Sequence, residues 1–264
     1  MNTIFITGAS AGLGKATALL FQQKGWKVIA TMRRPEQEKE LSTLDNVTLL
    51  PLDVTDPEQV NSTVQQAITL GVDVVFNNAG YGLMGPMEAI QDEQIIRQLN
   101  TNLLGVMRVT RAFIPYFREK RKGLFITTTS MGGLFAFPFG SIYHATKFAL
   151  EGWSESLSFE LGQFNIGVKT VAPGGIATDF GGRSIDAAAH PLYDAAMKKV
   201  WDLFDVEKLS SAQHIAEVVW EAATDGKDQV RYVAGEDAKA LYARRLELGN
   251  EAFRKEMGKN VLGL

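Results

Sequence analysis

Residues 3–14 read TIFITGASAGLG, and this stretch is the strongest indication of the fold class. Its first five residues are apolar or β-branched and predict a buried strand. Gly8, Gly12 and Gly14 then permit a tight turn and let a phosphate group approach the backbone closely. The apolar stripe over 13–24 predicts a helix whose N-terminal N–H groups and dipole would hold a pyrophosphate. The spacing is G-x-x-x-G-x-G, not the commoner G-x-G-x-x-G, and an ordinary strand–helix turn is the alternative interpretation.

The alternation of strand and helix patterns continues along the chain. Further apolar runs of strand length predict strands at 27–31, 47–52, 72–76, 124–128, 167–171 and 229–233. Amphipathic stretches predict helices at 57–70, 88–117, 142–161 and 212–224, where 88–117 contains two helices or one helix bent at Pro115. This order predicts an α/β fold, a single-domain Rossmann doubly wound parallel sheet of about seven strands with helices on both faces.

Two segments of this single domain, which spans 1–264, depart from the alternation. Segment 180–209 has no clear strand, and glycines at 181 and 182 precede three aromatic residues. A long insertion after a strand end predicts a lid over the substrate site. The tail after residue 237 has a basic–apolar helical pattern and is expected to cap a neighbouring subunit or the pocket.

The composition narrows the class of protein. The chain has 264 residues, 45% hydrophobic and 22% charged, which is typical of a globular domain. A net charge of −3 makes nucleic acid or an acidic membrane a poor partner. There is no cysteine and there are three histidines, so disulfides and thiolate nucleophiles are excluded and no metal is expected. No basic leader and no run of ~18 apolar residues is present, so we expect a soluble, cytoplasmic protein.

The end of the second predicted strand indicates which dinucleotide binds. In NAD-binding chains a carboxylate about 20 residues past the glycine turn accepts a hydrogen bond from the ribose 2′-hydroxyl. Here Met32 takes that place and Arg33 follows, and an arginine can pair with a 2′-phosphate. This predicts NADP(H) as cofactor, with a solvated basic loop as the alternative. Asp53, past the third strand, would face the adenine amine or serve as a turn carboxylate.

Three residues form the strongest catalytic candidate. Tyr143 and Lys147 are four residues apart near the start of a predicted helix and therefore project from one face. A phenol has a pKa of ~10, but an ammonium ~4 Å away at an effective dielectric near 20 contributes about 4 kcal/mol, or roughly three pKa units. We therefore expect Lys147 to bring the Tyr143 hydroxyl into the range of a proton donor. Ser130, just past the fifth strand, reaches the same crevice, although each residue alone is also an ordinary helix or turn residue.

Together these motifs resemble the short-chain dehydrogenase/reductase family, in its compact subclass. The turn at 7–14 matches T-G-x-x-x-G-x-G, and 77–80 matches N-N-A-G. Tyr143 and Lys147 match Y-x-x-x-K, with Ser130 thirteen residues before the tyrosine. Asn102, followed by LLG, matches the asparagine of the family's tetrad better than its neighbour Asn100 does. The stretch 173–178, PGGIAT, matches the segment that holds the nicotinamide carboxamide.

The resemblance implies an NADP-preferring carbonyl reductase that acts on an aldehyde or ketone, or on an alcohol in reverse. Tyr143 would be the general acid or base, Lys147 would lower its pKa and bind the nicotinamide ribose, and Ser130 would hydrogen-bond the substrate oxygen. Asn102 would help hold a water that links Lys147 to solvent. The implied cofactor-binding residues are Gly8, Ser10, Gly12, Leu13, Gly14, Arg33, Asp53, Val54, Asn78, Ala79, Gly80, Tyr143, Lys147, Pro173, Gly174, Ile176 and Thr178.

The resemblance also bears on phosphate recognition and assembly. Ala11 stands where many NADP-preferring members carry a basic residue, so recognition of the 2′-phosphate would rest on Arg33, with Arg34 beside it. The family commonly pairs the helices that begin here near 88 and 142, which implies a homodimer or homotetramer.

Two other functions are compatible with the same fold. One is a non-catalytic NADP(H)-binding module that senses redox state, and the complete Asn-Ser-Tyr-Lys set argues against it. The other is a dehalogenase-like lyase, which the glycine turn and the lysine argue against.

Aromatic residues near the catalytic set are the remaining candidates. His144 points about 100° away from Tyr143 around the helix and is expected to pack or lie at the surface. The stretch after Ser130 either walls an apolar substrate pocket or serves helix or subunit packing, through Phe135, Phe137, Pro138 and Phe139. The substrate indicated is an apolar ketone or aldehyde, retinoid-like or steroid-like.

Overall fold

A computed structural model of the chain describes residues 1–177, 185–202 and 209–264. Its strands are β1 Thr3–Thr7, β2 Lys27–Met32, β3 Val47–Pro51, β4 Val74–Asn77, β5 Gly82–Met84, β6 Gly123–Thr128, β7 Ile166–Pro173, β8 Ile176–Ala177, β9 Ile185–Ala187, β10 Ser210–Ser211 and β11 Arg231–Ala234. Seven of them form a parallel sheet in the order β11-β7-β6-β4-β1-β2-β3. The predicted sheet is therefore confirmed, with strand ends displaced by up to two residues.

Helices cover both faces of this sheet. They are α1 Gly12–Gln23, α2 Pro57–Leu70, α3 Asp92–Leu99, α4 Gly105–Lys120, α5 Ser141–Gly162, α6 Asp194–Trp201, α7 Ala212–Thr224, α8 Glu236–Leu248 and α9 Asn250–Leu262. One apolar cluster joins the sheet to α1 and α7, and a second joins it to α2, α4 and α5. The two clusters establish the doubly wound arrangement.

The central strand shows how the sequence produces these two clusters. Successive side chains of a strand point to opposite faces. Ile4 and Ile6 belong to the cluster beneath α1 and α7, whereas Phe5 lies in the other cluster, with its ring 5.0 Å from that of Phe113. Every residue of β1 is buried, as expected for a strand covered on both faces. The strand order reverses beside β1, so the carboxyl ends of β1 and β4 flank a crevice.

The predicted helical stretch 88–117 is interrupted at a different place from Pro115. Pro115 lies inside α4, which continues to Lys120. Both Pro115 and Arg111 are exposed, so the Arg111 carbonyl that loses its helical partner faces water. The interruption is a single π-helical turn, Asn100–Leu104, between α3 and α4. A tertiary contact of Asn102, described below, lies within that turn.

Short strands are the elements that the sequence did not reveal. β5 pairs with β9, and β8 pairs with β10, both in parallel. β9 and α6 lie inside the segment 180–209 that was expected to lack a strand. The remaining parts of that predicted lid, 180–184 and 203–208 with both hinge glycines, lie outside the described residues, as does Thr178.

The tail forms the helical pair α8 and α9, which packs on its own chain. Phe253 of α9 stacks edge-on against Phe135 at 5.3 Å, and Val261 packs with Met84 and Val200. These contacts lie within one chain, and capping of the pocket or of a neighbouring subunit by the tail stays a prediction. None of the described helices is long and apolar enough to cross a membrane.

Candidate active site

The glycine turn after β1 is shaped by contacts that leave no room for side chains. Gly8 and Gly12 have φ values of +68° and +53°, in the left-handed region that favours glycine. A Cβ at Gly8 would lie 2.9 Å from the Ala79 Cα, and a Cβ at Gly14 would collide with the Gly8 carbonyl. Helix α1 begins at Gly12 without a side-chain cap or an acidic residue in its first turn. Its N-terminal N–H groups are therefore available to an anionic ligand.

Asn78 joins the ends of three neighbouring strands. Its Nδ2 donates to the carbonyls of Thr7 and Gly8 at 3.1 and 3.2 Å, and its Oδ1 accepts from the Thr128 hydroxyl at 3.4 Å. The Thr7 hydroxyl in turn accepts from the backbone N–H groups of Asn78 and Ala79. The turns after β1, β4 and β6 are thus held together at one edge of the sheet, and they form the floor of the crevice.

The end of the crevice beside β2 and β3 carries the residues predicted to select between NADP(H) and NAD(H). Met32 is buried, whereas Arg33 and Arg34 are exposed, and no hydrogen bond or ion pair joins the guanidinium group of either arginine to the described residues. The Asp53 carboxylate accepts from the N–H and hydroxyl of Thr55 through Oδ1 at 2.9 and 2.7 Å. One oxygen of Asp53 therefore forms the turn that was the alternative interpretation.

The other predicted residues of this end differ in exposure. Ser10 is exposed in the glycine turn, and Leu13 is buried in the core beneath α1. Val54 is buried against Gly105, where an added Cβ would lie 2.7 Å from a Val54 methyl. The side chains of Leu13 and Val54 are therefore occupied by packing, and only their backbone would be available to a ligand.

A buried carboxylate near the glycine turn was missed by sequence reasoning. Glu38 accepts hydrogen bonds from the backbone N–H groups of Glu40 and Leu41 at 2.9 and 3.0 Å. Lys15 of α1 lies 3.1 Å from Glu38 and 2.9 Å from Glu40. These contacts tie the loop after β2, which carries Arg33, to the start of α1. The signal available in the sequence was only a lysine after the glycines and an acidic loop.

The catalytic candidates meet at the carboxyl end of β6. The Ser130 hydroxyl hydrogen-bonds the Tyr143 hydroxyl, and its oxygen accepts from the Gly132 N–H at 3.0 Å. The Lys147 Nζ lies 5.7 Å from the centroid of the Tyr143 ring and donates to the Thr128 carbonyl at 2.8 Å. The three side chains are thus adjacent, with both hydroxyls in direct contact.

The pKa values in this site correct one expectation. Burial raises the pKa of Tyr143, and the hydrogen bond from Ser130 only opposes that effect. Burial also lowers the pKa of Lys147 to about 8, against the opposing charge of Glu151. The expected lowering of the Tyr143 pKa by Lys147 is absent from this structure, because the ammonium is turned to the Thr128 carbonyl and the phenol is desolvated.

Glu151 is a second buried carboxylate that the sequence analysis missed. It lies one helical turn after Lys147 and accepts from Thr129, Thr170 and Arg231, the last at 2.8 Å. Thr129 follows β6, Thr170 belongs to β7 and Arg231 to β11. The spacing from Lys147 was visible in the sequence, but partners on three neighbouring strands were not.

Asn102 and Asn100 differ in what they contact. Asn102 is buried, with its Oδ1 accepting from the Tyr81 N–H at 3.0 Å and its Nδ2 donating to the Tyr81 carbonyl at 2.8 Å. Asn100 instead accepts from Arg108 at 2.5 Å. Asn102 therefore fixes the chain directly after Gly80, and this contact lies in the π-helical turn.

His144 packs in the structure. Its Nδ1 lies 2.7 Å from the Gly132 carbonyl, and its Nε2 accepts from the Phe137 N–H at 3.1 Å. This pairing requires a neutral ring with its proton on Nδ1. Burial accordingly lowers the pKa of His144. The expected packing role is confirmed.

The three phenylalanines after Ser130 divide between core and cavity. Phe135 is fully buried, and the Phe137 ring lies 4.2 Å from that of His144. Phe139 instead lines a cavity of about 480 Å³ beside the start of α5. The other lining residues are Gly85, Pro86, Met87, Glu88, Ser141 and Tyr193. Phe139 therefore walls this cavity, whereas Phe135 lies in the core.

The residues predicted to contact the nicotinamide carboxamide lie where β7 ends. Pro173 is the last residue of β7, and Ile176 begins β8 two residues after Gly174. Gly174 N–H donates to the Ala234 carbonyl at 2.9 Å, and Gly175 N–H donates to Asp237 at 2.8 Å. Asp237 was not a predicted site residue. This turn opens on the same sheet edge as Ser130 and Asn78.

Comparison with known proteins agrees with this geometry. The model of the short chain dehydrogenase family matches residues 2–188. An uncharacterized oxidoreductase of Schizosaccharomyces pombe is 37% identical over 235 residues, which cover 86% of this chain and 100% of that protein. The 3-ketodihydrosphingosine reductase of Bacteroides thetaiotaomicron is 40% identical over 179 residues, 67% of this chain and 65% of the relative.

Solved structures share the fold. A short-chain dehydrogenase from Streptomyces avermitilis superposes with a TM-score of 0.86 at 31% identity, covering 98% of this chain and 95% of that one. Two more distant structures, of 24% and 22% identity and TM-scores of 0.78 and 0.81, are Burkholderia proteins. The first, from B. cenocepacia, is in complex with NADP and the second, from B. phymatum, with NAD. They cover 99% and 95% of this chain, and 97% and 96% of their own. Both NADP and NAD are thus found bound to proteins of this fold.

Proposed function

The chain belongs to the short-chain dehydrogenase family, and we propose that it is an NADPH-dependent oxidoreductase that reduces an aldehyde or ketone, or oxidises the alcohol in reverse. The observation that carries this proposal is the contact between the Ser130 and Tyr143 hydroxyls beside the buried Lys147. A hydroxyl pair at the carboxyl edge of the sheet can receive one carbonyl oxygen, which a binding module does not need.

The turns of this chain fit a dinucleotide. Gly8 and Gly14 leave the backbone bare at the start of α1, where a Cβ would fill the space, and the N–H groups of that helix suit a pyrophosphate. Asn78, Ala79 and Gly80 form the neighbouring wall. Pro173, Gly174, Ile176 and Thr178 are the proposed contacts of the carboxamide. When bound, the cofactor supplies the hydride that the carbonyl carbon accepts.

The side chains of the catalytic candidates would supply and position the proton that the carbonyl oxygen receives. In reduction, the Tyr143 hydroxyl donates its proton to the carbonyl oxygen while the Ser130 hydroxyl hydrogen-bonds the same oxygen. The raised pKa of Tyr143 keeps the phenol protonated at neutral pH, which suits a proton donor. Lys147 would exchange its bond to Thr128 for the nicotinamide ribose, and its charge would then oppose the rise in the Tyr143 pKa. Asn102 would help hold a water between Lys147 and solvent.

Arg33 is the proposed determinant of the NADPH preference. It is exposed and has no competing ion pair among the described residues, and Met32 places no carboxylate against a phosphate. A free guanidinium at the end of β2 can form a bidentate, charge-assisted contact with a 2′-phosphate. The adjacent Arg34 is exposed as well. Replacing Arg34 therefore provides the control for the effect of Arg33 on cofactor preference.

The substrate proposed is an apolar carbonyl compound. The cavity beside α5 has Pro86, Met87 and Phe139 in its lining, and Tyr193 donates a 2.5 Å hydrogen bond to Glu88 at the same place. Apolar walls with few polar groups favour a substrate held by burial. The similarity to a 3-ketodihydrosphingosine reductase, whose name indicates a lipid-like ketone, supports this class.

We further propose a homodimer or homotetramer that acts in the cytoplasm. Ile96, Leu104, Phe148 and Phe159 are large apolar residues of the α3–α5 region, and 40% or more of each is exposed. Exposed apolar side chains on neighbouring helices are typical of a subunit interface. We also propose that segment 180–209 covers the bound substrate.

Oxidation of NADPH in the presence of carbonyl compounds tests the proposal. The purified protein is mixed with NADPH and a panel of aliphatic, aromatic and long-chain ketones and aldehydes, and absorbance is followed at 340 nm. We expect oxidation that depends on substrate and is strongest for apolar members. NADPH binding without turnover of any member would favour the redox-sensing module instead.

A further inference from the structure

The turn after β7 contacts a carboxylate that lies outside the proposed cofactor contacts. Asp237 lies in the first turn of α8, and its Oδ2 accepts a hydrogen bond of 2.8 Å from the Gly175 N–H. Its other oxygen, Oδ1, is buried and has no hydrogen-bond partner among the described residues. A buried carboxylate oxygen without a partner costs stability, so its position calls for a compensating role.

Two glycines provide the space for this carboxylate. A Cβ at Gly174 would collide with both oxygens of Asp237, and a Cβ at Gly235 would lie 2.7 Å from Oδ1. The Gly174 N–H donates to the Ala234 carbonyl of β11. Two consecutive N–H groups of the turn are therefore bound to the segment 234–237, and neither points freely into the crevice.

The same turn receives the chain that returns from segment 180–209. Ser210 N–H donates to the Gly175 carbonyl at 3.0 Å, and β10 then pairs with β8. The peptide groups on both sides of Gly175 are thus occupied, by Asp237 at its N–H and by Ser210 at its carbonyl. This fixes the direction in which the next peptide, that of Ile176, faces the crevice.

We propose that Asp237 is a positioning residue for the nicotinamide end of the cofactor, acting through the Gly174–Gly175 turn. The proposal rests on the proposed function, in which Gly174 and Ile176 contact the nicotinamide carboxamide. Because this turn is already ordered before the cofactor binds, no binding free energy is lost to ordering its backbone. The carboxylate therefore contributes to affinity for the nicotinamide half without touching it, and it contributes nothing to the adenine half at the other end of the crevice.

The test compares the binding of two ligands, one with the nicotinamide half and one without it. Dissociation constants of the full-length protein are measured for NADPH and for 2′-phospho-ADP-ribose, which lacks the nicotinamide ring. For Asp237→Ala we expect at least ~10-fold weaker NADPH binding, a matching rise in KM for NADPH, and fragment binding within about two-fold of the wild type. Asp237→Asn retains an oxygen for the Gly175 N–H and should recover most of the loss.

Glu236 provides the matched control. It is an exposed carboxylate in the same first turn of α8, paired with Lys239 at 2.9 Å. Glu236→Ala removes the same charge from the helix N-terminus and should leave both dissociation constants unchanged. If Asp237→Ala does not fold, Asp237→Leu, which fills a similar space without an acceptor for the Gly175 N–H, should give the same selective loss.

Three results would overturn the proposal: unchanged NADPH binding in Asp237→Ala, equal weakening of both ligands, or equal weakening by Glu236→Ala. Each would leave the proposed function intact if the wild type still oxidises NADPH with a carbonyl substrate. A wild type that binds neither ligand would instead refute the proposed function itself.

Discussion

Replacing Lys147 by methionine should make the cofactor-free protein more stable while removing its activity. Lys147 is buried, and among the described residues no carboxylate lies within ion-pair distance of its Nζ. Burial lowers its pKa from the ordinary 10.5 to about 8. At 1.36 kcal/mol per pKa unit, holding the ammonium charged at pH 7 costs the folded state about 3 kcal/mol.

Methionine removes this cost but also removes a hydrogen bond. The Lys147 Nζ donates to the Thr128 carbonyl at 2.8 Å, and losing a charge-assisted bond of this kind costs ~1.5–3 kcal/mol. The gain and the loss leave a net stabilisation of about 1 kcal/mol, or a rise in Tm of roughly 2–4 °C for a chain of this size. The side chains have similar volume, so little repacking is needed.

Urea unfolding at two pH values tests both the size and the cause of the stabilisation expected for Lys147→Met. Between pH 8 and 10.5 the unfolded chain holds the Lys147 proton and the folded chain releases it, so wild-type stability should rise with pH in that window. Lys147→Met should lack this increment. Lys169→Met is the matched control, because Lys169 is buried 2.7 Å from Asp225 and its removal should destabilise by ~3–5 kcal/mol. A loss of more than about 1 kcal/mol at pH 7 in Lys147→Met would show that burial of the Lys147 ammonium does not destabilise the folded state.

The remaining predictions concern the cofactor, a buried ring and the assembly. Arg33→Ala should lower the NADPH-over-NADH ratio of kcat/KM by at least ~10-fold, about 1.4 kcal/mol, whereas Arg34→Ala should change it little; equal effects would place phosphate recognition elsewhere. Because burial lowers the pKa of His144, wild-type stability should fall as pH drops below 6.5, by up to ~1.4 kcal/mol per pH unit, and more steeply than in His144→Gln; parallel profiles in urea unfolding would contradict this. Phe148→Glu should shift the protein toward monomer in sedimentation velocity, with Phe164→Leu as a partly buried control; an unchanged mass would exclude Phe148 from an interface.

The sheet and its edge were predictable because their signals are local. β1 and the glycine turn are contiguous, and Tyr143 and Lys147 share one helix face whatever the rest of the chain does. Ser130 follows a strand whose carboxyl end must meet the crevice once the sheet is parallel. These inferences needed only the periods of strands and helices and the rule that parallel strands end at one edge.

The features that were missed depend on contacts between distant parts of the chain. β8 and β10 have two residues each, too few for any periodic pattern, and form only because the chain returns beside Gly175. The π-helical turn at Asn102 bonds Tyr81, which lies 21 residues earlier. The direction of the Tyr143 pKa shift was wrong for the same reason, since burial and the orientation of the Lys147 ammonium are tertiary properties.

The role of the Tyr143 hydroxyl is tested most directly by Tyr143→Phe, which keeps the ring and removes only the proton donor. Turnover is measured at 340 nm with NADPH and the best carbonyl substrate of the panel, and the NADPH dissociation constant is measured on the same preparation. Proton transfer by a positioned side chain contributes ~10²–10⁴-fold. We predict a fall in kcat of that size with NADPH affinity within about two-fold of the wild type. Wild-type kcat in Tyr143→Phe would contradict the assignment of Tyr143 as the proton donor.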